Sequence, residues 1–300
     1  MSAIRDPALE CLTREQIDFY DRGGYVVLER RVPAEILAGC HKEIDRFFDE
    51  ARASTASDER LDLEPGHTSE SPRVRRIKLP HTQSPVFASL MRSDWVLAPA
   101  RDLIGPNIRL HTSKLNVKAA GYGSPVDWHQ DFAFYPHTND DVLAVGVMLD
   151  DVTLENGPLM VFPGSHRGPV LNHHSGGVFA GTIDLSAHGL DPANAVKLIA
   201  PAGSISLHHA RVIHGSDTNR SGHDRSMLFY EITAADAFPI MGAMVGFSTL
   251  DEYDKKLLCG HGTIEPRLEP VPVRIPLPQP SAHGSIYEVQ EFSATRGFEG

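Results

Sequence analysis

Three hundred residues, 41% hydrophobic and 22% charged, have the composition of an ordinary soluble globular protein and can bury a full core. A formal net charge of −11 argues against electrostatic nucleic-acid binding, and no apolar run approaches the roughly 20 residues of a membrane span. The N-terminal MSAIRDPALECL is too polar for a signal peptide, and three scattered cysteines without a CxxC pair fit a reducing cytoplasm better than a disulfide framework or zinc-thiolate site.

In chain order, Thr13-Arg14-Glu15-Gln16 is a capping box opening a short helix that stops near Gly23-Gly24. Tyr25–Leu28 reads as a strand. From Pro33, apolar residues recur at helical spacing (Ile36, Leu37, Cys40, Ile44, Phe47, Phe48) to about Arg52. The polar, turn-rich stretch 53–72 predicts an exposed loop. Arg73–Lys78 (RVRRIK), the densest basic run, lies between helices and reads as a solvated turn that could also present cations to an anionic substrate. Ser84-Pro85 opens another helix, which Pro99 is expected to kink or end.

After Gly105, short β-rich runs follow one another at 108–110, 115–119, 142–149, 159–162, 204–207 and 226–232, separated by Gly/Pro turns. Helices first and many short strands after predict a mainly β core of sandwich or barrel type with flanking helices. The expected organisation is one domain over 1–300: a helical part to about 105, a β-rich core over about 106–240, and an extended tail over about 265–300 that is proline-dense from Glu265 to Pro280.

His129 and Asp131 in Asp127-Trp128-His129-Gln130-Asp131-Phe132 share a face if the segment is a strand. Such a pair could bind a metal, form a hydrogen bond or sit in solvent. A third ligand must come from a distant strand, and His214 in His214-Gly215-Ser216 is the candidate. Two imidazoles and a carboxylate form the facial set of a non-haem Fe(II) oxygenase, leaving coordination positions for co-substrate and O₂. Arg225, across the turn at 219–224, is placed to hold the co-substrate's remote carboxylate. His137, His166, His173, His174, His208 and His209 are rivals expected to be solvated or to surround the site, with His209 the strongest competitor for the third position.

Together with Leu149-Asp150-Asp151-Val152-Thr153-Leu154-Glu155-Asn156-Gly157-Pro158-Leu159 and Pro163-Gly164-Ser165-His166-Arg167, these motifs resemble the phytanoyl-CoA dioxygenase (PhyH) superfamily. The resemblance implies a double-stranded β-helix (jelly-roll) core, Fe(II) on His129, Asp131 and His214, and 2-oxoglutarate held by Arg225 with Asn116 and Lys114. It further implies hydroxylation of an unactivated C–H bond of a small or medium-sized metabolite, with release of succinate and CO₂. Retention of Asp131 disfavours halogenation. Gln130 is expected to support the ligands, and Asn156-Gly157 and Pro163-Gly164 to serve as turns. Phe132, Phe134 and Tyr135 are equally consistent with a substrate wall and with core packing. The sequence Phe132–His137 departs from the ectoine hydroxylase signature. Acyl-CoA hydroxylation, a cupin-like metalloprotein without 2-oxoglutarate, and a non-catalytic β-sandwich module are the alternatives.

Overall fold

The computed structural model describes residues 9–121, 123–241, 249–281 and 285–298, and every count or absence given for the fold refers to these. Helix α1 (Arg14–Gly23) begins at the expected capping box, Thr13 and Gln16 each accepting the other's backbone N–H, and stops where Gly24 turns left-handed. Strand β1 (Tyr25–Leu28), helix α2 (Ala34–Ala51), strands β2 (Leu61–Leu63) and β3 (Val74–Lys78), and helices α3 (Pro80–Gln83), α4 (Pro85–Met91) and α5 (Asp94–Ile104) follow. The β-rich half contains β4 (Ile108–Lys118), β5 (Val126–His129), β6 (Val142–Met148), β7 (Leu159–Val161), β8 (His174–Ser175), β9 (Val178–Phe179), β10 (Val196–Leu198), β11 (Ile205–His209), β12 (His214–Ser216) and β13 (Arg225–Ala234). Helix α6 (Leu250–Asp254), strand β14 (Leu257–Cys259) and helix α7 (Ile286–Gln290) come last.

Two antiparallel sheets form a jelly roll. The larger runs β1-β11-β6-β13-β4-β3-β2, with β14 added beside β4, and the smaller runs β10-β7-β12-β5. Strand alternation divides the larger sheet into two faces. Leu115, Val117, Val145, Val147, Leu207, Leu228, Tyr230 and Ile232 pack against the helices in the main apolar core with Ile17, Cys40, Phe47, Phe87 and Leu103. The intervening Lys114, Asn116, Lys118, Ala144, His208, Arg225, Met227 and Phe229 face the smaller sheet across a cavity. No helix is long and apolar enough to cross a membrane.

Three expectations need correction. Arg73–Lys78 is largely strand and not a solvated turn: β3 joins the large sheet, its Arg76 opposite Asn116, while β2 forms within the stretch expected to be loop. Val74 and Ile77 are its buried residues, and their spacing of three hid the period of two. The helix opened by Ser84 breaks at Arg92-Ser93, and α5 runs through Pro99 to Ile104. The runs 108–110 and 115–119 belong to one strand to Lys118, because the polar residues between them stay in the ladder with β13.

The N-terminal segment is tied to α5 by Asp102, 3% exposed, whose carboxylate accepts from Glu10 N (2.9 Å), Cys11 N (2.8 Å) and Leu12 N (2.7 Å). Asp102→Ala leaves these donors unpaired and should lower the unfolding free energy by about 1–3 kcal/mol. Urea denaturation checks this, and Asp102→Asn, which retains one acceptor oxygen, should fall between.

Candidate metal centre

His129 ends β5 and His214 begins β12, and the two are direct cross-strand neighbours with ring centroids 4.1 Å apart. Each ring is oriented by a backbone carbonyl two residues earlier: His129 Nδ1 lies 2.7 Å from Asp127 O and His214 Nδ1 lies 3.0 Å from Val212 O. A carbonyl only accepts, so Nδ1 carries the hydrogen and the lone pair sits on Nε2. Burial and the neighbouring His129 hold the His214 pKa well below the usual imidazole range, favouring the neutral form that binds metals.

Asp131 reaches the same point by a different route from the one expected. Strand β5 stops at His129, and Asp131 opens a short 3₁₀ turn, so the carboxylate is delivered by a change of direction and not by strand alternation. The wholly buried Gln130 holds this turn. Its side chain accepts from Leu171 N (2.8 Å) and donates to Arg211 O (2.7 Å), while its backbone N–H donates to His173 Nε2 (3.0 Å). Asp131 Oδ1 lies 3.6 Å from His129 Nε2 and 3.8 Å from His214 Nε2. Burial alone would raise the Asp131 pKa, but Lys114, His214, His129 and His208 around it hold it well below the usual carboxylate range. One donor atom from each of His129, Asp131 and His214 lies within 4.8 Å of the others. Two neutral imidazoles and an ionised carboxylate, all buried and with their donor atoms converging, fit a divalent iron.

The cavity beside these residues brings together all six sequence-predicted site residues: His129, Asp131, His214, Arg225, Asn116 and Lys114. Arg225 starts β13 opposite Lys118 of β4. Its guanidinium donates to Gly157 O and, at 3.3 Å, to Asn156 O, and it ion-pairs with no carboxylate among the described residues. Burial pushes its pKa down to about 10. The turn thus supplies carbonyls that aim the guanidinium. Gly157 has φ +71°, and a Cβ there would stand 2.4 Å from Asp217 O and 2.8 Å from Lys118 Cδ. Lys114 forms an ion pair with the buried Glu231. Asn116 Oδ1 is buried without a hydrogen-bond partner.

Sequence reasoning missed Lys118 and ranked His208 below His209. Lys118 is 2% exposed, and its ammonium donates to Ser124 O at 2.6 Å. It follows Lys114 and Asn116 at a spacing of two, a strand signal available in the sequence. Of the paired histidines, His208 faces the cavity and His209 does not, reversing the expected ranking. His208 is 1% exposed, neither ring nitrogen has a hydrogen-bond partner, and Nε2 is 3.5 Å from Asp131 Oδ2. His209 turns toward Asp140 and accepts from Arg211 N instead. Phe132 packs in a separate apolar cluster, while Phe229 and Tyr287 stand in the cavity wall.

Comparison with known proteins agrees with this geometry. The family model for phytanoyl-CoA dioxygenase (PhyH) matches residues 20–227. The chain is 35% identical over 280 residues to a protein named "Probable alpha-ketoglutarate-dependent hypophosphite dioxygenase" from Stutzerimonas stutzeri, covering 92% of this chain and 96% of that one. It is 28% identical over 241 residues to an ectoine dioxygenase of Bordetella parapertussis, covering 73% and 75%. Crystalline EctD from S. alaskensis with 2-oxoglutarate and 5-hydroxyectoine superposes with a TM-score of 0.65 at 27% identity, covering 92% of this chain and 95% of that one. A match over most of the chain, centred on strands that carry a converging His–Asp–His set, places this protein in the phytanoyl-CoA dioxygenase family of iron- and 2-oxoglutarate-dependent oxygenases.

Proposed function

We propose that His129, Asp131 and His214 hold Fe(II), that Arg225, aided by Lys118 and Asn116, receives the remote carboxylate of 2-oxoglutarate, and that the substrate is a compact oxyanion. The observation carrying the co-substrate assignment is Arg225: a buried guanidinium with no carboxylate partner among the described residues, in the same cavity as the metal donors. A buried cation of this kind is costly unless a ligand neutralises it. A cupin-like protein acting without 2-oxoglutarate has no use for it.

Bound iron with 2-oxoglutarate and O₂ supplies the oxidising power that converts a substrate C–H or P–H bond to C–OH or P–OH, while the co-substrate becomes succinate and CO₂. The residues of the chain do the rest. Asp127 O and Val212 O keep the two imidazoles in the metal-binding tautomer. Leu159, Met227, Phe229 and Ala144 give the cavity apolar walls that exclude bulk water. Lys114, anchored by Glu231, and His208, with both nitrogens unpaired, offer N–H donors beside Asp131. Donors of this kind suit a small oxyanion, in keeping with the hypophosphite named for the relative at 35% identity.

Under anaerobic conditions, Fe(II) and 2-oxoglutarate added together should give a visible charge-transfer band that neither gives alone. With air admitted, succinate formation should be stimulated by hypophosphite or methylphosphonate and not by ectoine. Tight metal binding without the band rejects the co-substrate assignment. A band with stimulation by ectoine alone retains that assignment and rejects the oxyanion.

A further inference from the structure

The cavity is not walled by the two sheets alone. Ile286 and Tyr287 of α7 line it beside Arg225 and Lys118, although they lie beyond residues 20–227 matched by the family model. Helix α7 is clamped to the strand that carries His129. Asp127 N donates to Gln290 Oε1 at 3.0 Å, and Gln290 Nε2 donates to Asp127 O at 3.2 Å and Gly181 O at 3.1 Å. Farther along, Gly297 N and Phe298 N donate to Asp127 Oδ1 at 3.0 and 3.3 Å. The Phe298 ring stacks on Trp128 with centroids 5.1 Å apart. A Cβ at Gly297 would stand 2.4 Å from Trp128 Cδ1, so the backbone needs glycine to lie this close. Residues 285–298 therefore form a strap bonded at its middle and at its C-terminal end to Asp127, two residues before His129.

The strap brings a phenol to the cationic end of the pocket. Tyr287 is 7% exposed, and the Arg75 guanidinium lies 4.4 Å over its ring, fixing the ring plane. Arg225 spends two N–H donors on Asn156 O and Gly157 O, and Lys118 spends two of its three on Ser124 O and Ser216 O. A planar guanidinium gives a carboxylate at most two parallel N–H bonds and Lys118 has one N–H left, while a carboxylate accepts about four hydrogen bonds, so the two cations leave room for a further donor.

We propose that Tyr287 binds the remote carboxylate of 2-oxoglutarate together with Arg225, and that docking of the 285–298 strap closes this end of the pocket. The inference rests on the co-substrate assignment of Arg225. Ordered chain over the carboxylate excludes water and strengthens each hydrogen bond beneath it. Co-substrate binding and strap docking are then linked, each favouring the other.

Tyr287→Phe keeps the ring and its stacking with Arg75 but removes the O–H. Anaerobic 2-oxoglutarate titration of the Fe(II)-loaded protein, followed by calorimetry and by the visible band, should show Kd raised about 10- to 150-fold, the scale of one hydrogen bond to a charged group. Fe(II) affinity should be unchanged. Gln290→Ala, which loosens the strap from outside the pocket lining, should also weaken 2-oxoglutarate binding, and Fe(II) affinity measured alone should stay unchanged, showing that Asp127 O still orients His129. Trypsin cleavage at Arg296 should be slowed by Mn(II) with 2-oxoglutarate in the wild type, and less so in both variants. A Tyr287→Phe protein that binds 2-oxoglutarate within about twofold of wild type, with the strap equally protected, overturns the proposal while the band stands. No band in the wild type instead removes the co-substrate assignment beneath it.

Discussion

Asp131→Ala is expected to remove Fe(II)-dependent turnover and to weaken Fe(II) binding by well over 100-fold. Loss of a group that merely orients a metal ligand costs about 10–100-fold in affinity or activity, and Asp131 is proposed to supply a donor atom directly. It is the anionic member of the His129–Asp131–His214 set. Its charge survives burial because Lys114 and three imidazoles surround it. Without it, two neutral imidazoles face a divalent cation in a buried pocket that also holds Lys114, and the electrostatic balance turns against metal. Anaerobic Fe(II) titration reads the affinity, and the Fe(II)–2-oxoglutarate band reads the assembled site. Neighbouring His208 provides the internal control. His208→Ala should leave Fe(II) affinity within a few-fold of wild type, because its nitrogens fall outside the converging set. If instead His208→Ala destroys metal binding and Asp131→Ala spares it, the donor assignment is wrong.

The site was more legible in the sequence than the path by which the chain builds it. His129, Asp131, His214 and Arg225 could be named because metal and carboxylate recognition demand particular side chains, which local sequence displays. The route to Asp131 was misread because a period of two cannot reveal where a strand ends and a 3₁₀ turn begins. The ranking of His208 and His209 depended on strand phase, since adjacent residues of one strand face opposite ways. The phase could have been read from Leu207 and Ile205, which mark the core face. Strand β3 was hidden because an arginine-rich strand with its apolar residues three apart matches no simple period. The contribution of Ile286 and Tyr287 was not recoverable locally. The one-turn helix that carries them is too short to display a period, and its path is set by Gln290, Gly297 and Phe298 meeting Asp127 and Trp128, some 160 residues away in sequence.

Arg225→Ala should separate binding from stability. A carboxylate held by a buried guanidinium loses about 2–4 kcal/mol when the cation is truncated, which corresponds to roughly 30- to 1,000-fold weaker 2-oxoglutarate binding. The free protein should respond differently. Burial pushes the Arg225 pKa down to about 10, so folding disfavours the charged form, and without ligand the cation is a burden at neutral pH. The Arg225 contribution, read as the difference between wild type and Arg225→Ala, should accordingly rise with pH above about 10, as the folded-state group loses its proton while the unfolded one keeps it. Against this stand the donations to Asn156 O and Gly157 O, which the variant forfeits. The two effects oppose, so the unfolding free energy of the free protein should stay within about 1 kcal/mol of wild type. With Mn(II) present, 2-oxoglutarate at 100 times its Kd should stabilise the wild type by about 2.7 kcal/mol and the variant hardly at all at the same concentration. Arg225→Lys should recover part of this, since a lysine restores charge but cannot serve two carbonyls and a carboxylate from one planar fork. A variant that loses stability without ligand yet keeps its 2-oxoglutarate response would make Arg225 a structural residue, and the co-substrate's remote carboxylate would then have to lie elsewhere in the cavity.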